Sequence, residues 1–274
     1  MAVTLECRDL GFTYQNLPVL DGISVQIHSG RFCAILGRNG SGKTTLLHCL
    51  NRILSPDTGK IWVHDQDIQA MDPKKIAQQI SLVPQEHLDF FPYRVLDVVV
   101  MGRAPYLRMV QRPDRSDYQL ARKALCFLNA DYLAPKNFNR ISGGERQMCL
   151  LARAVTQGAG IMLLDEPTNH LDFNNQYHLL TAMKSLCRSK NISIVATLHD
   201  PNMAALFADD LILIKKGGIL AQGPVGEVMT QTLVSALYET PLGQVSIHGH
   251  KKLFFPQTVL TGLTDRIETK DTIK

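Results

Sequence analysis

The chain has 274 residues, 45% of them apolar and 20% charged, and a formal net charge of +4. That is the composition of an ordinary globular protein, able to bury a sizeable core in one large α/β unit. The mild charge does not single out nucleic acid, which would require a clustered basic face, and no run of about 20 apolar residues is present to span a bilayer.

In chain order, residues 3–14 and 17–27 alternate as strands do, with Leu10, Phe12 and Tyr14 on one face. Residues 32–36 (Phe-Cys-Ala-Ile-Leu) form a continuous apolar run, the pattern of a strand buried on both sides. Residues 37–45 then read Gly-Arg-Asn-Gly-Ser-Gly-Lys-Thr-Thr, a complete GxxxxGK[ST] sequence. Leu46, Leu47, Leu50, Ile53 and Leu54 follow at helical spacing, and Pro56, Asp57 and Gly59 supply turn chemistry. Residues 80–83 predict a short strand ending at Pro84-Gln85.

From about 87 to 155 the texture changes to helical patterns broken by loops. Residues 117–128 read as a helix, whereas the valines of 94–101 suit a helix face or a strand equally. Strand signals return at 161–164, 192–198 and 211–214, separated by helical stretches. The alternation predicts a mostly parallel sheet flanked by helices, with a helical subdomain inserted between strands. Residues 225–238 read as one helix, and the charged stretch 266–274 as a mobile tail.

The N-terminal nine residues lack the apolar core of a signal peptide. The cysteines at 7, 33, 49, 126, 149 and 187 are scattered without a CxxC pair, and several lie in apolar runs. Buried, reduced thiols of a cytosolic protein are the expectation.

The chemistry concentrates in three motifs. In the loop, Gly37, Gly40 and Gly42 allow successive backbone N–H groups to point inward as an anion nest, and the following helix aims its positive end at the same place. Arg38, Asn39, Ser41 and Thr45 complete this polyphosphate site; Lys43 supplies a point charge for β- and γ-phosphates, and the Thr44 hydroxyl can hold Mg²⁺. Second, the apolar run 161–164 ends in Asp165-Glu166. Beside a phosphate loop, Asp165 suits the Mg²⁺ shell and Glu166 suits a base that takes a proton from attacking water. Third, Ser142-Gly143-Gly144-Glu145 is a capping box that starts a helix with the stripe Met148, Leu151, Ala152 and Val155. A helix start carrying two glycines also receives anions.

With these motifs in this order, residues 3–225 resemble the nucleotide-binding subunit of an ABC transporter. The resemblance implies a P-loop NTPase core with a mostly parallel sheet, an N-terminal antiparallel β-subdomain and an inserted α-helical subdomain near 87–155. The ATPase domain would occupy 1–225, followed by a C-terminal extension over 226–274. The resemblance also implies ATP as substrate, Mg²⁺ as cofactor, and a head-to-tail homodimer in which Ser142, Gly143, Gly144 and Glu145 of one copy reach the γ-phosphate held by the other. Tyr14 matches the aromatic residue that stacks on adenine. Gln85 matches the glutamine that senses Mg²⁺ and the attacking water, and His199 the switch histidine that touches the γ-phosphate. Residues 169–172 resemble the loop crossing the dimer interface, with Asp172 its acidic member.

Gly102-Arg103-Ala104-Pro105-Tyr106 resembles a segment of importers for iron chelates, haem and cobalamin; it also reads as a plain turn closing a helix. The implied partners are polytopic membrane permease subunits and, indirectly, an extracytoplasmic substrate-binding protein, with no nucleic acid. The implied location is peripheral, on the cytoplasmic face of the cell membrane. Molybdate or tungstate import is the second substrate reading. A soluble cassette ATPase acting in translation would carry two cassettes, a DNA-repair relative a long heptad insertion, and a regulatory GTPase an Asn-Lys-x-Asp signature; the sequence has none of these.

Overall fold

The computed structural model describes residues 2–85, 92–108, 110–169, 171–247 and 251–257. β1 (Val3–Tyr14) and β2 (Leu17–His28) form a long antiparallel hairpin. Its two-residue turn places Gln15 and Asn16 at φ 44° and 70°, the left-handed backbone that matches the twist of paired strands. Beyond β1 lie β4 (Thr58–Val63) and β5 (Gln66–Asp67), completing an antiparallel sheet in the order β2-β1-β4-β5.

The second sheet is built around β3 (Phe32–Leu36). With β6 (Ile80–Val83), β7 (Ile161–Leu164), β8 (Ser193–Leu198), β9 (Asp210–Lys215) and β10 (Gly218–Pro224), it runs β10-β9-β3-β8-β7-β6. All neighbours are parallel except β10, which turns back along β9. The unbroken apolar run of β3 has a direct cause. Cys33 and Ile35 pack towards the antiparallel sheet and α1 (Lys43–Leu50), whereas Phe32, Ala34 and Leu36 pack into the core beneath the remaining helices.

α2 (Pro73–Gln79) leads into β6. The segment readable either way is a helix, α3 (Val95–Val100), because Val95, Val98 and Val99 share one face and are fully buried in the helical core. It continues as a 3₁₀ turn over Met101–Tyr106, then α4 (Arg115–Phe127) and α5 (Gly143–Gln157). Gly102 lies so close to the Arg153 carbonyl of α5 that no side chain fits. Arg103 stacks 3.9 Å over the Tyr106 ring, pairs with Asp117 at 3.0 Å and donates to the Thr156 and Gln157 carbonyls that end α5. Gly102-Arg103 thus fastens α3 to α5.

α6 (Phe173–Lys190) and α7 (Pro201–Phe207) flank β8. The single helix expected over 225–238 is two, α8 (Val225–Val228) and α9 (Gln231–Tyr238). The break falls where the Thr230 hydroxyl caps α9 by accepting from the Leu233 amide at 3.3 Å. A hairpin absent from the sequence reading follows, β11 (Leu242–Ile247) with β12 (Lys251–Pro256). The tail 266–274 lies outside the described residues. Five cysteines are buried and Cys126 is exposed. Among the described residues, no helix is long and apolar enough to cross a membrane.

Candidate active site

The loop between β3 and α1 folds as its glycines dictate. Gly40 and Gly42 sit at φ 76° and 100°, and a side chain at Gly37 would collide with the Ile214 carbonyl and Ser41. Gly42 caps α1 without a side chain, so the first N–H groups of the helix face the loop unpaired by a cap. A cleft of about 460 Å³ opens there, lined by Asn39, Gly40, Gly42, Lys43, Thr44 and Thr45 together with Val19, Gln85 and Glu166.

Lys43 is only 4% exposed and donates from Nζ to the carbonyls of Gly37 at 2.9 Å and Arg38 at 3.1 Å. Burial lowers the pKa of its ammonium, opposed by the charges of Glu166 and Asp165. A cation held by neutral carbonyls in a partly desolvated loop is primed to gain from an incoming polyphosphate.

Facing the loop, β7 ends at two acids. Asp165 is 1% exposed, tied by its amide to the Val83 carbonyl at 2.9 Å and by its carboxylate to the Thr197 hydroxyl at 2.8 Å. Glu166 takes a left-handed backbone, φ 48°, uncommon for a residue with a side chain and costly unless its surroundings fix it. Thr197 helps fix it by accepting the Glu166 amide at 2.7 Å. Three side chains hold the Glu166 carboxylate. Gln85 Nε2 donates to Oε2 at 2.6 Å, Asn169 Nδ2 donates to the same oxygen, and His199 Nε2 meets Oε1 at 2.6 Å.

Gln85, Glu166 and His199 are therefore brought together, and Lys43, Thr44 and Asp165 are beside them. Thr197 is absent from the sequence-derived set, and Asn169 appears there only as part of the loop 169–172, not as a partner of Glu166. Thr197 stands with Ser193 as one of two polar residues in the β8 run, and Asn169 is an amide three residues past Glu166.

Other expected residues stand apart. Ser142 and Glu145 form the anticipated capping box, with Ser142 Oγ accepting from the Glu145 amide at 3.2 Å and Glu145 Oε2 from the Ser142 amide at 2.9 Å. With Gly143 and Gly144 they start α5, and none of the four lines the cleft. Asp172 caps α6 through the Asn175 amide at 2.8 Å, also away from the cleft; His170 lies outside the described residues. Tyr14 is exposed, edge-on to Phe12 with centroids 4.7 Å apart. Arg38 turns to Glu239, and the Ser41 hydroxyl is buried without a hydrogen-bond partner among the described residues.

A larger cleft of about 720 Å³ lies between the hairpin and β9–β10. Its Arg8 pairs with Glu6 and its Arg31 with Asp210, so these charges neutralise one another.

Thr44, Gln85 and Asp165 offer hydroxyl, amide and carboxylate oxygens, and among the described residues no group of three or more His, Cys, Asp or Glu could hold a metal alone. Few hard oxygen donors beside a phosphate nest suit Mg²⁺, which completes its shell with phosphate oxygens and water.

Comparison with known proteins agrees with this geometry. Residues 20–169 match the ABC transporter family. The chain is 35% identical over 234 residues to the ferric enterobactin transport ATP-binding protein FepC of Escherichia coli, covering 85% of this chain and 86% of that protein. It is 35% identical over 260 residues to the molybdate import ATP-binding protein MolC of Haemophilus influenzae, covering 94% and 97%. Among solved structures, an inward-facing transporter described as of metal-chelate type superposes with a TM-score of 0.82 at 34% identity, over 93% of this chain and 98% of the other. A phosphate loop facing a held carboxylate, on a chain alike to these proteins along most of its length, leaves one assignment: it belongs to the ABC transporter family, as an ATP-hydrolysing ATP-binding subunit.

Proposed function

We propose that this subunit powers the import of an iron chelate of the siderophore kind. Cassettes of the family work as dimers on membrane permease subunits. The finer reading is a homodimer at the cytoplasmic face of the membrane, docked on a polytopic permease that receives cargo from an extracytoplasmic binding protein. Residues 1–225 would form the ATPase domain and 226–274 its extension.

The observation that carries the ATP-hydrolysing part of the reading is the Glu166 carboxylate, held by Gln85, Asn169 and His199 at the edge of the phosphate-loop cleft. The loop amides and Lys43 bind the phosphates of ATP and stabilise charge that develops on them. Tyr14 stacks on adenine. Mg²⁺, held by Thr44 with Asp165 and Gln85, supplies further positive charge when bound. A water oxygen attacks the γ-phosphorus, the bond to the ADP oxygen breaks, and the water proton passes to Glu166. Gln85 and His199 orient the carboxylate and the water. Ser142, Gly143, Gly144 and Glu145 of the second copy close over the γ-phosphate, with Asp172 at the seam.

The cargo reading rests on relatives named for ferric enterobactin and metal chelates. Molybdate is the second reading, carried by a relative matched over 94% of this chain. Reconstitution with the membrane subunits separates them. Ferric siderophore should stimulate ATP turnover, haem and cobalamin serving as further arms. Stimulation by molybdate alone would replace the first reading with the second.

A further inference from the structure

The residues beyond 225 touch the site at two places. His199 lies on the two-residue link between β8 and α7, and its imidazole meets Glu166. Its main-chain carbonyl accepts a 2.9 Å hydrogen bond from the hydroxyl of Tyr238, the last residue of α9. The same turn is held from its other end. Asp200 caps α7 through the Asn202 amide at 2.7 Å, and Asn202 exchanges two bonds with Phe254 of β12, at 3.2 and 2.8 Å. One residue past Tyr238, Glu239 pairs with Arg38 of the phosphate loop and with Lys215 at 3.2 Å. The end of α9 therefore bridges the two segments whose spacing sets how the imidazole faces the phosphates.

We propose that Tyr238 is a positioning residue for ATP hydrolysis, fixing the His199 peptide so that its imidazole is aligned on Glu166 and the γ-phosphate. The inference rests on the role given to His199 above. Burial pushes the Tyr238 phenol above its ordinary range, so the hydroxyl keeps its proton and donates throughout the working pH range. Pro201, at the first position of α7, removes freedom on the far side of the link. On the near side, β8 is locked between β3 and β7. The His199 carbonyl lies between these two fixed ends, and Tyr238 holds it by its hydroxyl. Small displacements of a group near reacting atoms lower turnover far more than they lower binding, because the transition state demands the tighter geometry.

The test is steady-state ATP hydrolysis by the full chain, with thermal melting, for Tyr238→Phe, for His199→Ala and for 4-aminophenylalanine at position 238. Tyr238→Phe removes one oxygen and keeps the ring. One hydrogen bond corresponds to about a fivefold fall in kcat, expected with KM for ATP changed less than about twofold and Tm within about 3 °C. The amino analogue restores a donor and should restore kcat. Full kcat in Tyr238→Phe, with His199→Ala impaired, would overturn the positioning role and leave His199 in place. A joint change of kcat, KM and Tm would also overturn it, as the mark of a purely structural hydroxyl. Full turnover in His199→Ala would remove the role of His199 and this inference with it.

Discussion

The Thr197 hydroxyl donates to the Asp165 carboxylate at 2.8 Å, both groups fully buried. The same oxygen accepts the amide of Glu166, whose backbone is left-handed. One side chain thus fixes the carboxylate of Asp165 and the backbone of Glu166. Thr197→Val keeps the shape and leaves a buried amide and a buried carboxylate each short of a partner. Urea unfolding should show a loss of about 1–3 kcal/mol, accompanied by lower ATP turnover. An unchanged midpoint with full turnover would mean that Thr197 does not orient the acids.

Binding and turnover should separate. Glu166→Gln keeps the size and one accepting oxygen but cannot take a proton, so ATP binding should persist while phosphate release falls about 10²–10⁴-fold. Lys43→Ala should act on binding, weakening ATP affinity by about tenfold or more through loss of charged hydrogen bonds. Calorimetric titration of ATP with a phosphate-release assay reads both. Near-normal hydrolysis by Glu166→Gln would remove it as the base.

Thiol chemistry should be confined to Cys126. Burial pushes the thiols of Cys7, Cys49, Cys149 and Cys187 up to about 12 and raises that of Cys33 as well. A raised pKa leaves almost no thiolate, the reactive form, below pH 9. A maleimide at pH 7.5 should label Cys126 rapidly in the native chain, and the other five only on unfolding. Rapid native labelling of a second cysteine would contradict this burial.

Gly102→Ala should destabilise the helical subdomain by about 1–3 kcal/mol, because the added methyl meets the Arg153 carbonyl on a helix that cannot easily withdraw. A denaturation midpoint equal to wild type would show that α3 and α5 pack less tightly than described.

Much of this was legible in the residues, and the reason is locality. β3 announces itself because a strand covered on both faces must be apolar throughout, and the loop after it because glycines and a lysine at fixed spacing serve one geometry. The start of α5 was readable because a capping box is made within four residues. What failed depends on partners distant in sequence. Thr197 meets Glu166 across neighbouring strands, and nothing in the run Ser193–Leu198 announces which way its hydroxyl turns. The hairpin of β11 and β12 gains its order by docking on α7 through Asn202 and Phe254. The break between α8 and α9 passed unseen because Thr230 is tolerated inside a helix as well as at a cap.

The central claim is that each active site is shared, with the phosphate loop of one copy completed by Ser142 of the other. Mixing two impaired variants, Lys43→Ala and Ser142→Arg, at an ATP concentration too low to load the Lys43→Ala loop, tests it most directly. In a head-to-tail pair, a mixed dimer has one site carrying both defects and one site carrying neither. Random exchange at equal amounts should then restore ATP turnover to about a quarter of wild type. Turnover that stays at the level of the separate variants at every mixing ratio would contradict the account.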